Sequence, residues 1–356
     1  MDTPMSGPAR SADRAYRVAS GAAFGSSESA AQARPILEVR NLSTHIVNRD
    51  GDRIVRAVDG VSFSLAKGET LGIVGESGSG KSVTSLSVMR LLPKAARIVG
   101  GSVTFAGEDL LAKSADEMQK IRGRRIGMIL QDPMVSLDPL FTIGSQIAEP
   151  LRFHLGMSGR ALHDRMIELL RAVGIPEPEL RLTQYPHQMS GGMLQRIVGA
   201  IGIACDPELL IADEPTTALD MTVQAQFLDL LEQLRDRNTL SLIVITHDFG
   251  VAARLCDQVM VMYAGHVVER APVREIFDNP KHPYTRALLG SIPRRGEGGG
   301  RLTSIEGQPP DPGSLPPGCP FAPRCPLATD QCRREDAPEI WVTNDHVSRC
   351  WRVSDL

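Results

Sequence analysis

The residues best suited to chemistry form one short run in which two glycines, separated by four residues, are followed by Lys and Ser. The run consists of Gly75, Glu76, Ser77, Gly78, Ser79, Gly80, Lys81 and Ser82. Small side chains allow successive backbone N–H groups to turn inward around a phosphate chain, at the positive end of a helix dipole. Lys81 can then reach the outer phosphates, and the Ser82 hydroxyl can ligate Mg²⁺. The pattern predicts a loop that binds a nucleoside triphosphate.

The segments on either side of this loop support the prediction. Residues 71–74 have the pattern of a short buried strand, and residues 82–92 that of an amphipathic helix. A chance match in a flexible Gly/Ser loop would lack this order of strand, loop and helix. The flanks therefore favour a phosphate site.

A pair of acidic residues narrows the chemistry further. Asp213 and Glu214 follow the apolar run 209–212. A buried strand that ends in Asp can present one carboxylate to the Mg²⁺ shell, and the adjacent Glu can polarise a water for attack on the terminal phosphate. Two acids in a solvated turn are the alternative, which the apolar strand disfavours.

Composition sets broad limits. The chain has 356 residues, of which 42% are hydrophobic, and its 39 basic and 42 acidic residues nearly balance, so a nucleic-acid-binding surface is not indicated. No apolar run approaches the roughly 18–20 residues that cross a bilayer. Residues 1–34 lack a secretory signal, and we expect a mostly disordered leader there. Without an export signal, an intracellular chain is expected, with cysteines that are reduced or metal-bound.

The order of elements predicts an α/β fold. Residues 36–106 have mainly strand patterns with a turn at 48–52, and residues 142–205 are mainly helical. Strands and helices then alternate to about residue 262, which predicts a mainly parallel sheet with right-handed crossovers. A linker at 294–300 leads into a tail rich in Pro and Cys.

Taken in order from about residue 36 to 270, these motifs resemble the nucleotide-binding subunits of ABC transporters. The remaining family motifs match Gln131 (Q-loop), Ala218-Leu219-Asp220 (D-loop), His247 (switch histidine) and the signature Ser190-Gly191-Gly192. The resemblance implies a P-loop NTPase cassette in residues 35–280. Its core would be a mainly parallel sheet, joined by an antiparallel β subdomain and by a helical subdomain at about 142–205.

The resemblance also implies a role for each matched residue. Mg·ATP would be held by Asp213 and Gln131, with Ser82 and Gln131 as Mg²⁺ ligands, and by the loop residues Gly75, Glu76, Ser77, Gly78, Ser79, Gly80, Lys81, Ser82 and Val83. Glu214, His247 and Gln131 would be catalytic. Two cassettes pair head to tail in this family. Ser190, Gly191 and Gly192 would therefore serve the partner's ATP, and Asp220 would belong to the D-loop.

The sequence departs from the family pattern in two places. Met189 and Met193 flank the signature where many members have Leu and Gln, but the Ser-Gly-Gly core is intact. The aromatic platform for adenine, expected near residues 44–47, is not obvious, since His45 and Ile46 occupy the matching positions. We therefore make no prediction of what stacks on the base.

Four longer segments resemble the oligopeptide/dipeptide importer ATPases, a group that includes nickel importers. They are residues 131–139, 185–193, 262–265 and 282–289. The resemblance implies ATP-driven import of di- or oligopeptides at the cytoplasmic face of the cell membrane. Expected partners are a second homologous ATPase subunit, two permease subunits and an extracytoplasmic binding protein, with no nucleic acid. Import of nickel or another small solute is the alternative. A soluble ABC ATPase of DNA repair or translation fits less well, because the chain has neither a coiled-coil insertion nor a second cassette.

A cysteine cluster lies in the predicted extension, residues 281–356. Its members, spaced C-x5-C-x6-C-x17-C, are Cys319, Cys325, Cys332 and Cys350. Four of six cysteines within 32 residues of an intracellular chain favour metal ligation. The wide gaps differ from the C-x2-C pairs of zinc ribbons and suit a four-iron, four-sulfur cluster, which the resemblance supports. Zinc and unligated thiols remain alternatives. Cys205 and Cys256, on apolar helical faces, are expected in the core.

Overall fold

The computed structural model describes residues 17–18, 34–47, 53–217, 219–238, 240–292 and 305–356. The predicted turn at 48–52 and the predicted linker at 294–300 lie outside the described residues. Of the predicted leader, the structure describes Arg17 and Val18, which form a short strand, and residue 34.

The strands are β1 (Arg17–Val18), β2 (Leu37–Val47), β3 (Ile54–Leu65), β4 (Thr70–Val74), β5 (Ala96–Phe105), β6 (Glu108–Asp109), β7 (Ile126–Ile129), β8 (Leu209–Asp213), β9 (Ser241–Thr246), β10 (Gln258–Tyr263), β11 (His266–Pro272), β12 (Ile340–Trp341) and β13 (Val347–Ser348). The helices are α1 (Lys81–Val88), α2 (Ala115–Ile121), α3 (Pro133–Ser136), α4 (Ile143–Leu155), α5 (Gly159–Ala172), α6 (Pro178–Arg181), α7 (Gly191–Gly202), α8 (Met221–Asn238), α9 (Phe249–Leu255), α10 (Val273–Asp278), α11 (Pro283–Gly290) and α12 (Asp330–Arg334).

The larger sheet of the described chain has the strand order β1-β12-β13-β11-β10-β4-β9-β8-β7. The strands from β10 to β7 are parallel to one another. β4, β8 and β9 are buried along their whole length, because helices cover both faces of such a sheet. The remaining strands pair antiparallel at the β11 side. This parallel core places the carboxyl ends of β4, β7, β8 and β9 along one edge.

A second sheet within the described residues is antiparallel, in the order β3-β2-β5-β6. The register between β2 and its neighbours shifts near Asn41, whose φ of 48° lies in the left-handed region. Such irregularities increase the local twist of a strand. The core side chains of this second sheet, among them Phe63 and Phe105, pack in the same hydrophobic cluster as Leu71 and Ile73 of β4. The second sheet therefore supports the strand that precedes the phosphate loop.

Helices α4 to α7 form the region that the sequence predicts to be helical. α4 begins at the Thr142 cap and ends at Gly156, which has a left-handed φ of 63°. Its buried residues Ile143, Ile147 and Leu151 recur at helical spacing and share one core with α5 and α7. α7 packs onto β7, where Gly202 and Gly127 approach closely. This contact joins the helical region to the parallel sheet.

The helix after the phosphate loop is shorter than predicted. α1 ends at Val88 rather than near residue 92. Arg90 has a φ of 52°, which stops the helix, and its guanidinium binds the carbonyl oxygens of Leu110 and Lys113. The chain then turns into β5, which is longer than predicted.

The C-terminal residues are fastened to the sheet by strand pairing and by buried polar contacts. β13 pairs antiparallel with β11, and β12 pairs with both β13 and β1. The His346 Nε2 and Glu269 Oε1 atoms lie 2.8 Å apart, and both side chains are fully buried. The Lys281 backbone N–H donates to the same carboxylate. None of the described helices is long and apolar enough to cross a membrane.

We expect Gly127→Ala to destabilise the fold. A Cβ at this position would lie 2.1 Å from the Gly202 carbonyl oxygen, so β7 and α7 would have to separate. Overpacking of this kind costs about 1–3 kcal/mol. The measurement is the midpoint of thermal unfolding. Gly290→Ala is the control, because space around Gly290 is open; an unchanged midpoint for Gly127→Ala would contradict the described packing.

Candidate functional site

The phosphate loop connects β4 to α1 and depends on glycine at both ends. A Cβ on Gly75 would meet the Met262 carbonyl oxygen at 2.2 Å, and one on Gly80 would meet the Ala57 carbonyl oxygen at 2.3 Å. Gly80 also has a left-handed φ of 101°. Larger residues would be excluded at both positions, so the glycine spacing follows from how closely the loop is packed.

Lys81 is directed into the loop. Its ammonium group donates to the carbonyl oxygens of Gly75 at 2.8 Å and Glu76 at 3.0 Å. Burial lowers the pKa of Lys81, while the carboxylates of Glu214, Asp213 and Glu76 act in the opposite direction. Because burial disfavours the charged ammonium, a phosphate bound beside it would stabilise that charge, which suits Lys81 to hold an anion.

Ser82 and Asp213 connect the loop to the neighbouring part of the sheet. The Ser82 hydroxyl donates to Asp213 Oδ1 at 3.0 Å. Burial raises the pKa of Asp213, against the opposing effect of this hydrogen bond. A hydroxyl and a desolvated carboxylate are oxygen donors of the kind that Mg²⁺ takes, and the cation would compensate the buried charge. These two residues fit an Mg²⁺ site.

Glu214 is the point at which the catalytic candidates meet. Its Oε2 atom accepts hydrogen bonds from Gln131 Nε2 at 2.9 Å and Thr217 Oγ1 at 3.0 Å, and lies 3.5 Å from His247 Nδ1. Its backbone has a φ of 44°, and its N–H donates to the Ile245 carbonyl oxygen. A left-handed, non-glycine residue held this firmly is typical of a functional position.

The structure thus brings together Gln131, Glu214 and His247, the three residues that the sequence analysis gives as catalytic candidates. Thr217, a contact of Glu214, is missing from the predicted set. Its position three residues after the acid, in a turn, was the available signal. The structure also places Tyr284 and Arg324 against Glu76. No local pattern indicates these contacts, since the residues lie far away in the chain.

The Ser190-Gly191-Gly192 run begins α7 at a different place. Ser190 caps the helix by accepting from the Met193 N–H, and Ser190 and Gly191 are exposed. Gly192 lies against Val223 at the start of α8. The backbone N–H of Val223 donates to the Asp220 carboxylate. The cavity beside the phosphate loop has a volume of about 250 Å³ and is lined by residues 76–79, 263–264 and 309–312. Neither the signature residues nor Asp220 lines it. Of the signature and D-loop residues, Ser190, Gly191 and Asp220 are exposed, and Ala218 lies outside the described residues.

The predicted metal cysteines share one cavity. Cys319, Cys325, Cys332 and Cys350 all line it, and all are free thiols. Burial raises the pKa of Cys350 to about 12, with the other three thiols adding to the effect. Within the described residues, no group of three or more His, Cys, Asp or Glu side chains is arranged to hold a metal ion. The predicted iron–sulfur cluster is therefore not confirmed. Cys205 and Cys256 are buried in the core, as predicted.

Comparison with known families covers both parts of the chain. Residues 58–217 match the family model described as ABC transporter. Residues 268–332 match the model described as oligopeptide/dipeptide transporter, C-terminal region. The probable peptide ABC transporter ATP-binding protein y4tR of Sinorhizobium fredii (strain NBRC 101917 / NGR234) is 50% identical over 323 residues, covering 90% of this chain and 96% of the relative.

The chain belongs to the ABC transporter ATP-binding proteins of the oligopeptide/dipeptide family. The dipeptide transport ATP-binding protein DppD of Bacillus subtilis (strain 168) is 50% identical over 317 residues, covering 89% of this chain and 94% of the relative. A dimeric post-hydrolysis structure of the ATP-binding cassette MJ0796, bound to ADP and Pi, aligns with a TM-score of 0.61 and 29% identity. It covers 67% of this chain and 99% of that cassette.

These similarities confirm the predicted family, the cassette fold and the ATPase activity. The chain is an ABC ATPase, for which ATP and Mg²⁺ are the expected substrate and metal. Gln131, Thr217 and His247 converge on Glu214, and a carboxylate held in this way is able to orient a water.

We expect Glu214→Gln to retain ATP binding and lose turnover by at least about 100-fold, because an amide cannot accept the proton of an attacking water. The measurements are ATP binding and phosphate release by the assembled complex. Glu208→Gln is the matched control, since Glu208 precedes β8 at the opposite end of the strand and pairs with Arg125. Brisk hydrolysis by Glu214→Gln would contradict the assignment.

Proposed function

We propose that this chain hydrolyses ATP to power import of di- and oligopeptides through a membrane ABC transporter. The observation that carries the proposal is the match over residues 268–332, outside the cassette model, to the oligopeptide/dipeptide transporter C-terminal region. Relatives named for peptide transport, about 50% identical over nearly their whole length, support it.

In the proposed mechanism, Lys81 and the loop N–H groups bind the phosphates of ATP. Ser82, Asp213 and Gln131 would hold Mg²⁺, which supplies charge neutralisation at the phosphates when bound. Glu214 orients the attacking water and accepts its proton, while Gln131 and Thr217 fix the carboxylate. His247 contacts the terminal phosphate. Catalysis would rest on positioning and charge stabilisation.

We further propose that the site is completed by a second, homologous ATPase subunit. Ser190 and Gly191 are exposed at the start of α7, where free backbone N–H groups favour an anion. They do not line the cavity beside this chain's own phosphate loop. The dimeric assembly of the similar cassette MJ0796 supports a pairing in which each signature faces the partner's ATP.

The surface next to Gln131 supports docking to the permease subunits. Large apolar side chains are exposed there, on α3 and the segment before α4: Met134 at 55%, Val135 at 80%, Leu140 at 80% and Phe141 at 55%. Several large apolar side chains exposed on one short segment favour an interaction site. Because Gln131 also contacts Glu214, a partner bound here can influence catalysis. The chain would then lie at the cytoplasmic face of the cell membrane.

The cysteine cavity is proposed to hold a four-iron, four-sulfur cluster. Four free thiols line one cavity, where burial disfavours the thiolate form, and a cationic centre would stabilise the four thiolates that ligate it. Cys319, Cys325, Cys332 and Cys350 would be the ligands. The cluster would cross-link loops that contain little secondary structure. Such a cross-link would stabilise a small segment that lacks a large hydrophobic core.

We expect ATP hydrolysis by the complex, purified with its native neighbours, to rise several-fold when peptide-loaded binding protein is added. Coupled transport requires that the occupied permease promote closure of the ATPase pair. The measurement is phosphate release, together with identification of the co-purified proteins. A complex that lacks permease subunits, or whose hydrolysis ignores peptide, would contradict the proposal.

We expect Val135→Asp to reduce co-purification with the permease by about tenfold, because a charge would be buried at the apolar contact. Val99→Asp serves as control, since Val99 is a 55% exposed valine on β5, away from this patch. Equal recovery of permease with both variants would refute the docking surface.

We expect about four irons and four sulfides per chain after anaerobic purification, and their loss in Cys332→Ser. The measurements are iron and sulfide content and the visible absorption spectrum. Cys205→Ser, at a core cysteine outside the cavity, should retain the iron. Zinc without iron in the wild-type protein would end the cluster proposal.

A further inference from the structure

One residue of the phosphate loop is bound by a side chain from the distant C-terminal region. The Arg324 guanidinium donates to both carboxylate oxygens of Glu76, from Nη1 to Oε2 at 2.8 Å and from Nη2 to Oε1 at 3.1 Å. The Arg324 side chain is 4% exposed and the Glu76 side chain 28%. A bidentate pair with a buried guanidinium is strong and directional, unlike an ordinary surface ion pair.

Neighbouring groups hold both partners in place. Arg324 also donates to the Glu306 carbonyl oxygen at 3.1 Å and to the Tyr263 hydroxyl at 3.3 Å. The Glu76 backbone N–H donates to the Tyr284 hydroxyl at 2.9 Å. The phosphate loop is therefore held at Glu76 through its main chain and through its side chain, by residues outside the loop.

The segment that carries Arg324 is itself fixed. Arg324 lies in a short turn that precedes Cys325, and nearby Phe321 packs edge-to-face against Tyr263 with ring centroids 5.3 Å apart. The Phe321 ring is also 5.3 Å from that of Tyr284. The aromatic packing fixes the turn that carries Arg324, and so holds its guanidinium beside Glu76.

Charge gives this contact a consequence for nucleotide binding. Glu76 is the second residue of a loop that must accept several phosphate charges, and its carboxylate is close enough to influence the charge of Lys81. An unpaired carboxylate here would repel the phosphates, and the repulsion would be weakly screened at a partly buried site. Arg324 cancels this charge where it arises.

We propose that Arg324 is a positioning residue of the ATP site, which acts through Glu76 by neutralising its carboxylate and holding the phosphate loop in shape. The inference rests on the proposed ATPase function. Arg324 would lower the KM for ATP, with little influence on the hydrolytic step that Glu214 directs.

The test compares KM and kcat for ATP in the assembled complex with Arg324→Ala, Arg324→Lys, Glu76→Gln and Glu76→Gln/Arg324→Ala. We expect Arg324→Ala to raise the KM about tenfold with kcat within about twofold. The KM of Arg324→Lys should lie between those of the wild type and Arg324→Ala, because an ammonium group keeps the positive charge but cannot make the bidentate contact of a guanidinium. Removing the Glu76 charge should rescue most of the KM in the double variant. Arg334→Ala is the control, since Arg334 is exposed and donates to the Asp330 carbonyl oxygen of its own helix.

Two results would overturn the inference while leaving the ATPase function intact: a KM for Arg324→Ala within twofold of the wild type, or a double variant that is no better than Arg324→Ala. If Arg324→Ala fails to fold, Arg324→Lys with and without Glu76→Gln gives the same comparison. An inactive wild-type complex would instead refute the proposed function.

Discussion

Three parts of the chain meet at one carboxylate oxygen, Oε2 of Glu214. Gln131 reaches it from beyond β7, Thr217 from the turn after β8, and His247 from the end of β9. β7, β8 and β9 are adjacent, parallel and in register, so the residues that follow them emerge at the same edge. The arrangement of these groups thus depends on the strand order of the sheet. The packing of the buried apolar strands maintains that order.

The parts of the site that could be predicted from sequence are those that a local pattern marks. Asp213 and Glu214 end an apolar strand, and Lys81 and Ser82 end a glycine-rich loop, so local pattern suffices for them. Thr217 was missed because its signal, a position three residues after the acid, does not distinguish it from any other threonine in a turn. Arg324 could not be predicted, because its contact with Glu76 spans 248 residues and depends on how the C-terminal region folds back. The strand pairing of β1 with β12 was unpredictable for the same reason.

Two surfaces remain available once the core is formed. The exposed signature residues Ser190 and Gly191 lie on the helical side, and the apolar residues Val135 and Leu140 adjoin Gln131. Under the proposed function the first surface would face a second ATPase subunit and the second a permease, and Gln131 connects the second surface to Glu214. On the opposite flank, Arg324 and Tyr284 hold the phosphate loop. If the proposed partners bind at these surfaces, the ATP site would be in contact with a second ATPase, a permease and the chain's own C-terminal region.

The central claim is that hydrolysis directed by Glu214 drives peptide inward across a membrane. The most direct measurement uses proteoliposomes that contain the complete complex, with ATP enclosed and labelled dipeptide plus binding protein outside. Peptide should accumulate against its gradient in proportion to the ATP hydrolysed. Hydrolysis without accumulation, or accumulation that continues after the enclosed ATP is exhausted, would contradict it.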